Sequence, residues 1–162
     1  MYERSIELLN EAIADELAAV HQYMYFHFRL DDLGYAPLAA MLKATAIDEM
    51  LHAEQIAERI LLLGGEVEMR VGREVEKIHD AREMLAKAHS LEQEAIVMYN
   101  TFALEAAQLA DSGTKKLFEA LVESEETHWD AFDQQANHIQ KFGESYLALQ
   151  GFQGDQAPPE RA

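Results

Sequence analysis

The segment DEMLHA, residues 48–53, carries a glutamate and a histidine three positions apart. The segment SEETHW, residues 124–129, repeats that spacing. An α-helix brings positions i and i+3 onto one face, so each segment can direct a carboxylate and an imidazole at the same ion. A single Glu-x-x-His is only a weak indication, because a chain rich in glutamate contains such pairs by chance. The pairs are Glu49 with His52 and Glu125 with His128.

The register between the two segments argues against coincidence. The two pairs are 76 residues apart, and the same step leads from Glu16 to Glu92 and from Tyr23 to Tyr99. The sequence therefore predicts two copies of one helical hairpin. In each copy the first helix carries a single glutamate and the second carries Glu-x-x-His. Counted from the glycines that separate the paired helices, the repeated side chains lie at similar heights. Four carboxylates and two imidazoles are thus predicted to converge in one layer of the core.

Glycine and proline divide the rest of the chain into long helical stretches. These stretches are rich in Ala, Leu, Glu and Met, which favour helix, and none shows the alternation typical of a strand. We expect an all-α protein with four long helices and a short fifth one. Asp80 is a candidate N-cap for the third helix, and Ser112 or Thr114 for the fourth. The predicted helices span residues 4–33, 37–63, 80–111, 114–142 and 144–150.

The connections between these helices predict their topology. Turns of about three residues make the first and second helices, and the third and fourth, antiparallel neighbours. The second and third are joined by residues 64–78, which can extend roughly 50 Å, whereas a helix of that size is about 40 Å long. The linker can therefore run the length of the bundle, as in a ferritin-like four-helix bundle with one long crossover. We expect this ferritin-like domain to span residues 1–150 and a flexible tail to span 151–162.

Composition narrows the possible chemistry. The 162 residues include 13 basic and 30 acidic side chains, and the net charge of -17 argues against a nucleic-acid or anionic-membrane surface. With 49% hydrophobic residues, the chain is too apolar for an acidic disordered protein. It has no cysteine, so histidine and carboxylates remain as the good metal ligands. The absence of an apolar signal core or membrane-length run predicts a soluble, cytoplasmic protein.

Four buried carboxylates need counter-charge, because each desolvated ion costs several kcal/mol. Two divalent cations would balance them. Single glutamates from two helices and Glu-x-x-His from two others form the di-iron carboxylate pattern, and mainly oxygen ligands favour iron or manganese over structural zinc. The sequence therefore predicts a di-iron centre. Its predicted ligands are Glu16, Glu49, His52, Glu92, Glu125 and His128.

At these residues the chain resembles the bacterioferritins, from LLNEAIADELAAVHQY through IDEMLHAEQIAERILLLGGEVEM and LEQEAIVMYN to ESEETHWDAFDQQANHIQKFG. The resemblance implies that the six residues are ferroxidase ligands, with Glu49 and Glu125 bridging the two irons. It also implies that Met50, with the same residue of a symmetry mate, ligates a haem b at a two-fold dimer interface. Tyr23 matches a tyrosine beside the di-iron centre.

The resemblance further implies a 24-subunit hollow shell built from two-fold dimers. Such a shell oxidises Fe(II) with O2 or peroxide, stores the ferric mineral and receives electrons from a ferredoxin for iron release. The short fifth helix and the Pro-Pro tail depart from the family, so details of its four-fold channel do not transfer. Met50 points about 100° away from the metal face, where it could instead pack a dimer interface. Tyr23 either hydrogen-bonds a ligand carboxylate or has a redox role, and Asp48 is either a partner of the site or a solvated acid.

Three alternatives stay open at this point. One is a haem-free, dodecameric mini-ferritin, and another is a rubrerythrin-like di-iron oxidase or peroxidase that stores nothing. The third is a non-catalytic helical interaction module, which the register of the six predicted ligands disfavours.

Overall fold

The computed structural model describes residues 1–156, which form five helices joined by short turns and one long crossover. No strand occurs within those residues, which confirms the prediction of an all-α bundle. None of the described helices is both long enough and apolar enough to cross a bilayer. In chain order the helices are α1 (Glu3–Asp32), α2 (Ala36–Leu62), α3 (Ala81–Gln108), α4 (Ser112–Phe142) and α5 (Glu144–Gln156).

The fifth helix is longer than predicted. It ends at Gln156 rather than at residue 150, so residues 151–156 of the predicted tail are helical. The two glycines in this stretch each weaken a helix by about 1 kcal/mol, but α5 packs against α2 and α4, where Tyr146 and Leu147 are buried. These contacts hold the first two turns of α5, whereas the side chain of Phe152 in the added stretch is 66% exposed. Glycine thus weakens this helix without ending it. Residues 157–162 of the predicted tail lie outside the described part of the chain.

Short turns make α1 antiparallel to α2 and α3 antiparallel to α4. Between α1 and α2, Gly34 has a φ of +85°, a conformation that favours glycine, and its N–H bonds to the carbonyl of Asp31 at 2.9 Å. Between α3 and α4, Asp111 caps α4 by accepting a 3.1 Å hydrogen bond from the backbone N–H of Thr114. The predicted caps, Ser112 and Thr114, already belong to the helix. Asp80 caps α3 as predicted.

The crossover between α2 and α3 lies along α1, where two side-chain amides pair with its backbone. Asn10 donates to the carbonyl of Glu66 at 2.9 Å and accepts from the N–H of Glu68 at 3.0 Å. Gln22, more than three turns further along α1, donates to the carbonyl of Glu76 at 2.9 Å and accepts from its N–H at 2.8 Å. The crossover therefore follows α1 from its N-terminal end towards its C-terminal end, and α3 begins at the end of the bundle where α2 began.

Between these two amides the crossover comes into direct contact with α1. The N–H of Gly72 bonds to the carbonyl oxygen of Ala14 at 2.8 Å, and a Cβ at Gly72 would lie only 2.9 Å from that oxygen. The next residue, Arg73, pairs with Asp15 at 2.8 Å and with Glu94 at 3.1 Å. The crossover thus joins α1 to α3 on the outside of the bundle.

The apolar core is divided into two clusters along the bundle axis. One surrounds Phe26, Leu42 and Phe132, and the other surrounds Leu8 and Phe118. On each of the four long helices, a buried glutamate lies between residues of the first cluster and residues of the second. The bundle therefore encloses one polar layer between two hydrophobic ones.

Candidate metal centre

The six glutamates and histidines predicted as metal ligands meet in the polar layer between the two apolar clusters. None of them is more than 7% exposed. They form two overlapping groups of four side chains, and within each group the candidate ligand atoms lie within 4.8 Å of one another. One group contains Glu16, Glu49, His52 and Glu125, and the other contains Glu49, Glu92, Glu125 and His128. Two glutamates belong to both groups, which places them between the two candidate metal positions.

In the first group, the Nδ1 atom of His52 faces three carboxylates. It lies 2.8 Å from Oε2 of Glu49, 3.3 Å from Oε1 of Glu125 and 3.4 Å from Oε1 of Glu16. Nevertheless, neither His52 Nδ1 nor Glu49 Oε2 has a hydrogen-bond partner. A buried polar atom without a partner costs roughly 1–3 kcal/mol. A cation between these atoms would satisfy both, so the residues fit a metal ion.

The second group repeats this arrangement around His128. Its Nδ1 atom lies 3.0 Å from Oε2 of Glu125, 3.3 Å from Oε1 of Glu49 and 3.7 Å from Oε2 of Glu92. Oε2 of Glu92 is again buried without a hydrogen-bond partner. The two imidazole rings lie side by side, with centroids 5.9 Å apart and planes inclined by 29°. The layer therefore offers two adjacent positions of the same donor chemistry.

The outer nitrogens of the two imidazoles are held by different groups. Nε2 of His52 lies 2.8 Å from the hydroxyl of Ser124, and Nε2 of His128 lies 3.1 Å from Oδ2 of Asp48. These contacts leave Nδ1 of each ring directed at the carboxylates. Asp48 was expected to be either a partner of the site or a solvated acid. The structure shows the contact with the site, although the Asp48 side chain remains 53% exposed.

Two buried tyrosines hold the single glutamates from across the bundle. Tyr23 on α1 donates a 2.5 Å hydrogen bond to Oε1 of Glu92 on α3. Tyr99 on α3 donates to Oε1 of Glu16 on α1. Burial, followed by the charge of the glutamate that each one contacts, raises the pKa of both tyrosines well above the usual range. Both phenols therefore stay protonated and act as donors to the carboxylates.

The electrostatics of the layer favour protons or cations between the side chains. Burial raises the pKa of Glu92 to about 7, and burial together with the charge of Glu49 raises the pKa of Glu16 well above its usual range. Burial opposes the charged form of His52, but the facing carboxylates of Glu125, Glu16 and Glu49 outweigh it and raise its pKa to about 12. Without a metal, protons therefore neutralise part of the negative charge. Two divalent cations can replace them, since their charge equals that of four carboxylates.

The seventh predicted site residue, Met50, lies apart from this layer. Its side chain is 51% exposed on the outer face of α2, beside Ile47 and Leu51, which are 44% and 43% exposed. The outward direction predicted from the helical period is therefore correct. The neighbouring Ala53 and Ala57 are small and partly buried.

Sequence reasoning missed two features of the site. It did not anticipate that each tyrosine contacts the glutamate of the other hairpin, and it gave no role to Ser124. The 76-residue step contained a signal for the second feature, because it carries Asp48 onto Ser124.

Comparison with known proteins agrees with this geometry. The model of the ferritin-like domain family matches residues 6–142. The bacterioferritin of Desulfovibrio desulfuricans is 40% identical over 143 residues, which cover 88% of this chain and 80% of that protein. The bacterioferritin of Rhodobacter capsulatus is 34% identical over 145 residues, which cover 89% of each chain.

A solved structure of the D. desulfuricans bacterioferritin superposes on this chain with a TM-score of 0.90 and 36% sequence identity. The match covers 98% of this chain and 94% of that one, and the structure is described as showing the diiron site of that protein in different catalytic states. The matches extend over nearly the whole bundle, including all four helices that contribute to the polar layer. The chain therefore belongs to the bacterioferritins, within the ferritin-like domain family.

Proposed function

We propose that this protein is an iron-storing ferroxidase that oxidises Fe(II) to Fe(III) in the polar layer of its bundle. The observation that carries the proposal is the pair of overlapping four-residue groups of buried ligand atoms. Three of these atoms have no hydrogen-bond partner: Nδ1 of His52, Oε2 of Glu49 and Oε2 of Glu92. The D. desulfuricans relative, whose structure is described by its diiron site, supports iron as the metal.

In this proposal Glu49 and Glu125 bridge two Fe(II) ions. Glu16 and His52 complete one half-site, and Glu92 and His128 complete the other. Ligand sets that consist mainly of carboxylate oxygens, with one imidazole per ion and open positions, suit Fe(II) or Mn(II) better than structural zinc. The four negative charges match two divalent ions, so binding removes the electrostatic penalty of the buried carboxylates.

The substrate Fe(II) supplies the electrons, and the protein supplies position and charge balance. Two Fe(II) ions held side by side give two electrons together, which is the number that reduces O2 to hydrogen peroxide or hydrogen peroxide to water, with two protons taken up. Tyr23 and Tyr99 fix the outer glutamates through their hydrogen bonds, and Asp48 and Ser124 fix the imidazoles. The apolar clusters above and below the layer exclude water from all but the open positions.

We further propose that the ferric product is stored as a mineral inside a hollow homo-oligomer of 24 subunits built from two-fold dimers. The exposed apolar patch of Ile47, Met50 and Leu51 on α2 supports an interface there, since contiguous apolar patches mark contact surfaces. Likeness to bacterioferritins over nearly the whole chain supports the same assembly.

We further propose that this interface binds a haem b, which the thioether of Met50 from each of two copies would hold. When bound, such a group adds a one-electron redox centre, and thioether ligation raises its potential. An external ferredoxin would donate electrons for iron release. These roles rest on the exposed sulfur of Met50 and on family likeness.

The test is rapid mixing of metal-free protein with Fe(II) and O2, with Glu16→Ala as the comparison. The variant should lose most of the fast oxidation phase while keeping its helical circular dichroism, because one terminal ligand is removed. An unchanged initial rate would overturn the assignment of the centre. Iron loading and mass in solution decide the rest: uptake limited to about two irons per chain would favour a rubrerythrin-like oxidase, and a dodecamer would favour a mini-ferritin.

A further inference from the structure

The two halves of the polar layer differ in the residue that contacts the Nε2 atom of each histidine. The 76-residue step that relates the hairpins carries Asp48 onto Ser124. In the folded chain each of these residues contacts the histidine of the other hairpin, so that Asp48 faces His128 at 3.1 Å and Ser124 faces His52 at 2.8 Å. One imidazole is therefore backed by a carboxylate and the other by a neutral hydroxyl.

We infer that this difference makes the two half-sites unequal, so that a divalent cation fills the half-site of His128 first and is held there more tightly. Asp48 and Ser124 act as positioning residues, since they contact the imidazoles rather than the metal. The inference rests on the proposed function, because it requires that both histidines ligate metal through Nδ1.

The physical reason lies in the outer nitrogen of each ring. A neutral imidazole that ligates through Nδ1 carries its proton on Nε2. This N–H donates a hydrogen bond to the carboxylate of Asp48 or the hydroxyl of Ser124. A carboxylate acceptor forms a stronger, charge-assisted hydrogen bond than a hydroxyl and makes the imidazole a better electron donor to the metal. It also adds a negative charge close to the bound cation, which a hydroxyl does not.

Changing such a partner typically alters metal affinity by about 10- to 100-fold. The Asp48 side chain is 53% exposed, so water screens part of its charge. We therefore expect the lower end of that range, a separation of about tenfold between the two binding steps.

The other contacts of the two half-sites are closely matched. Each outer glutamate accepts a hydrogen bond from a buried tyrosine of the other hairpin, and the two imidazoles are 6% and 7% exposed. One further difference is the acidic Asp15 beside Glu16, where the second repeat has Leu91. The carboxylate of Asp15 pairs with Arg73 at 2.8 Å, which largely cancels its charge. Asp48 and Ser124, which contact the Nε2 atoms of the histidines, therefore remain the main source of the difference in metal affinity between the half-sites.

The experiment is a titration of the metal-free, full-length protein with Co(II), followed by calorimetry and by the visible absorption bands of the bound ion. In the wild type we expect two binding steps separated by about tenfold, with a distinct spectrum for each equivalent. Asp48→Asn keeps the size of the side chain and removes its charge, so it should weaken the tighter step and leave the weaker one. Ser124→Asp should strengthen the weaker step and leave the tighter one.

The matched control is Asp31→Asn, which removes the same charge from an exposed aspartate at the far end of α1. It should change neither step. Two steps of equal affinity in the wild type would overturn the inference and leave the di-metal proposal standing, as would an effect of Asp48→Asn no larger than that of the control. Failure to bind two Co(II) per chain would instead overturn the proposed centre, and the inference with it.

Discussion

The hydroxyl of Tyr23 on α1 donates a 2.5 Å hydrogen bond to Glu92 on α3, although the two residues are 69 positions apart in the chain. Tyr99 makes the equivalent bond in the opposite direction, to Glu16. The two tyrosines therefore join the two hairpins at the level of the polar layer.

Removing either hydroxyl should destabilise the metal-free protein. Tyr23→Phe and Tyr99→Phe each leave a buried carboxylate oxygen without its donor, which typically costs about 1–3 kcal/mol. Urea unfolding of the metal-free variants measures the change in free energy. Tyr25→Phe is the control, because Tyr25 is only partly buried and the described residues show its ring packed against Phe26 rather than a hydrogen bond from its hydroxyl. Losses no larger than that of the control would show that the tyrosine–glutamate bonds are not needed for stability.

The amides of Asn10 and Gln22 should control local opening of the crossover at two separate places. Gln22→Ala removes both hydrogen bonds to the backbone of Glu76, at 2.9 and 2.8 Å, and should speed hydrogen exchange at the Glu76 amide. Exchange at Glu68, which bonds to Asn10, should stay as in the wild type.

Asn10→Ala should give the reverse pattern, with faster exchange at the Glu68 amide and wild-type exchange at the Glu76 amide. Each variant therefore serves as the control for the other. Equal acceleration at both amides would mean that the crossover opens as one unit and that the two contacts do not act separately.

The contribution of Asp111 to stability should depend on pH. Its carboxylate accepts from the N–H of Thr114 at 3.1 Å and from Arg59 at 2.6 Å. Burial opposes ionisation, but these hydrogen bonds, one from Ser5 and the charge of Arg59 lower the pKa of Asp111 below its usual value. A lowered native pKa means that the contribution is complete above the unfolded value of about 3.9 and is lost as the pH falls through the native value.

Asp111→Asn should therefore destabilise the protein by about 1–3 kcal/mol near neutral pH and by less below about pH 4. Urea midpoints of wild type and variant across this range give the comparison. A difference that stays constant with pH would rule out a contribution from the ionised carboxylate.

Met50→Leu should abolish methionine ligation of haem and leave Fe(II) oxidation unchanged, because Met50 lies outside the polar layer. Reconstitution with haem b followed by the Soret spectrum measures ligation, and rapid mixing measures oxidation. Met69→Leu is the matched control, since Met69 is an exposed methionine in the crossover, 61% accessible against 51% for Met50. If the Soret spectrum of Met50→Leu equals that of wild type, Met50 is an interface residue only.

Much of the fold could be predicted because its signals are local or periodic. Helix ends follow glycine and proline, and the 76-residue repeat places the side chains of the polar layer at one height without any knowledge of packing. The predicted N-cap of α4 was wrong because the actual cap depends on a long-range contact. Asp111 is held by Arg59, which is 52 positions earlier in the chain, and the absence of a side chain at Gly113 gives the guanidinium room: a Cβ there would lie 2.6 Å from it. The length of α5 was also predicted wrongly, because glycine was taken to end a helix that it only weakens.

The placement of the six side chains in one layer was predictable, but their hydrogen-bond partners were not. The hydrogen bonds of Tyr23 to Glu92 and of Tyr99 to Glu16 depend on the distance between the two hairpins. That distance cannot be predicted from the spacing of residues within one helix. The same holds for Ser124, whose contact with His52 exists only because α4 packs beside α2.

The division of the core by a polar layer links iron loading to the folding of the subunit. Each four-residue group draws its members from three helices, and both groups include side chains from the two hairpins. An ion in either position would therefore cross-link hairpins that pack mainly within themselves. Any ion that binds only the folded bundle shifts the unfolding equilibrium by mass action, by about 2.7 kcal/mol at a free concentration 100 times its dissociation constant. Newly made subunits would thus become most resistant to unfolding when ferrous iron is plentiful, which is when a storage protein is needed.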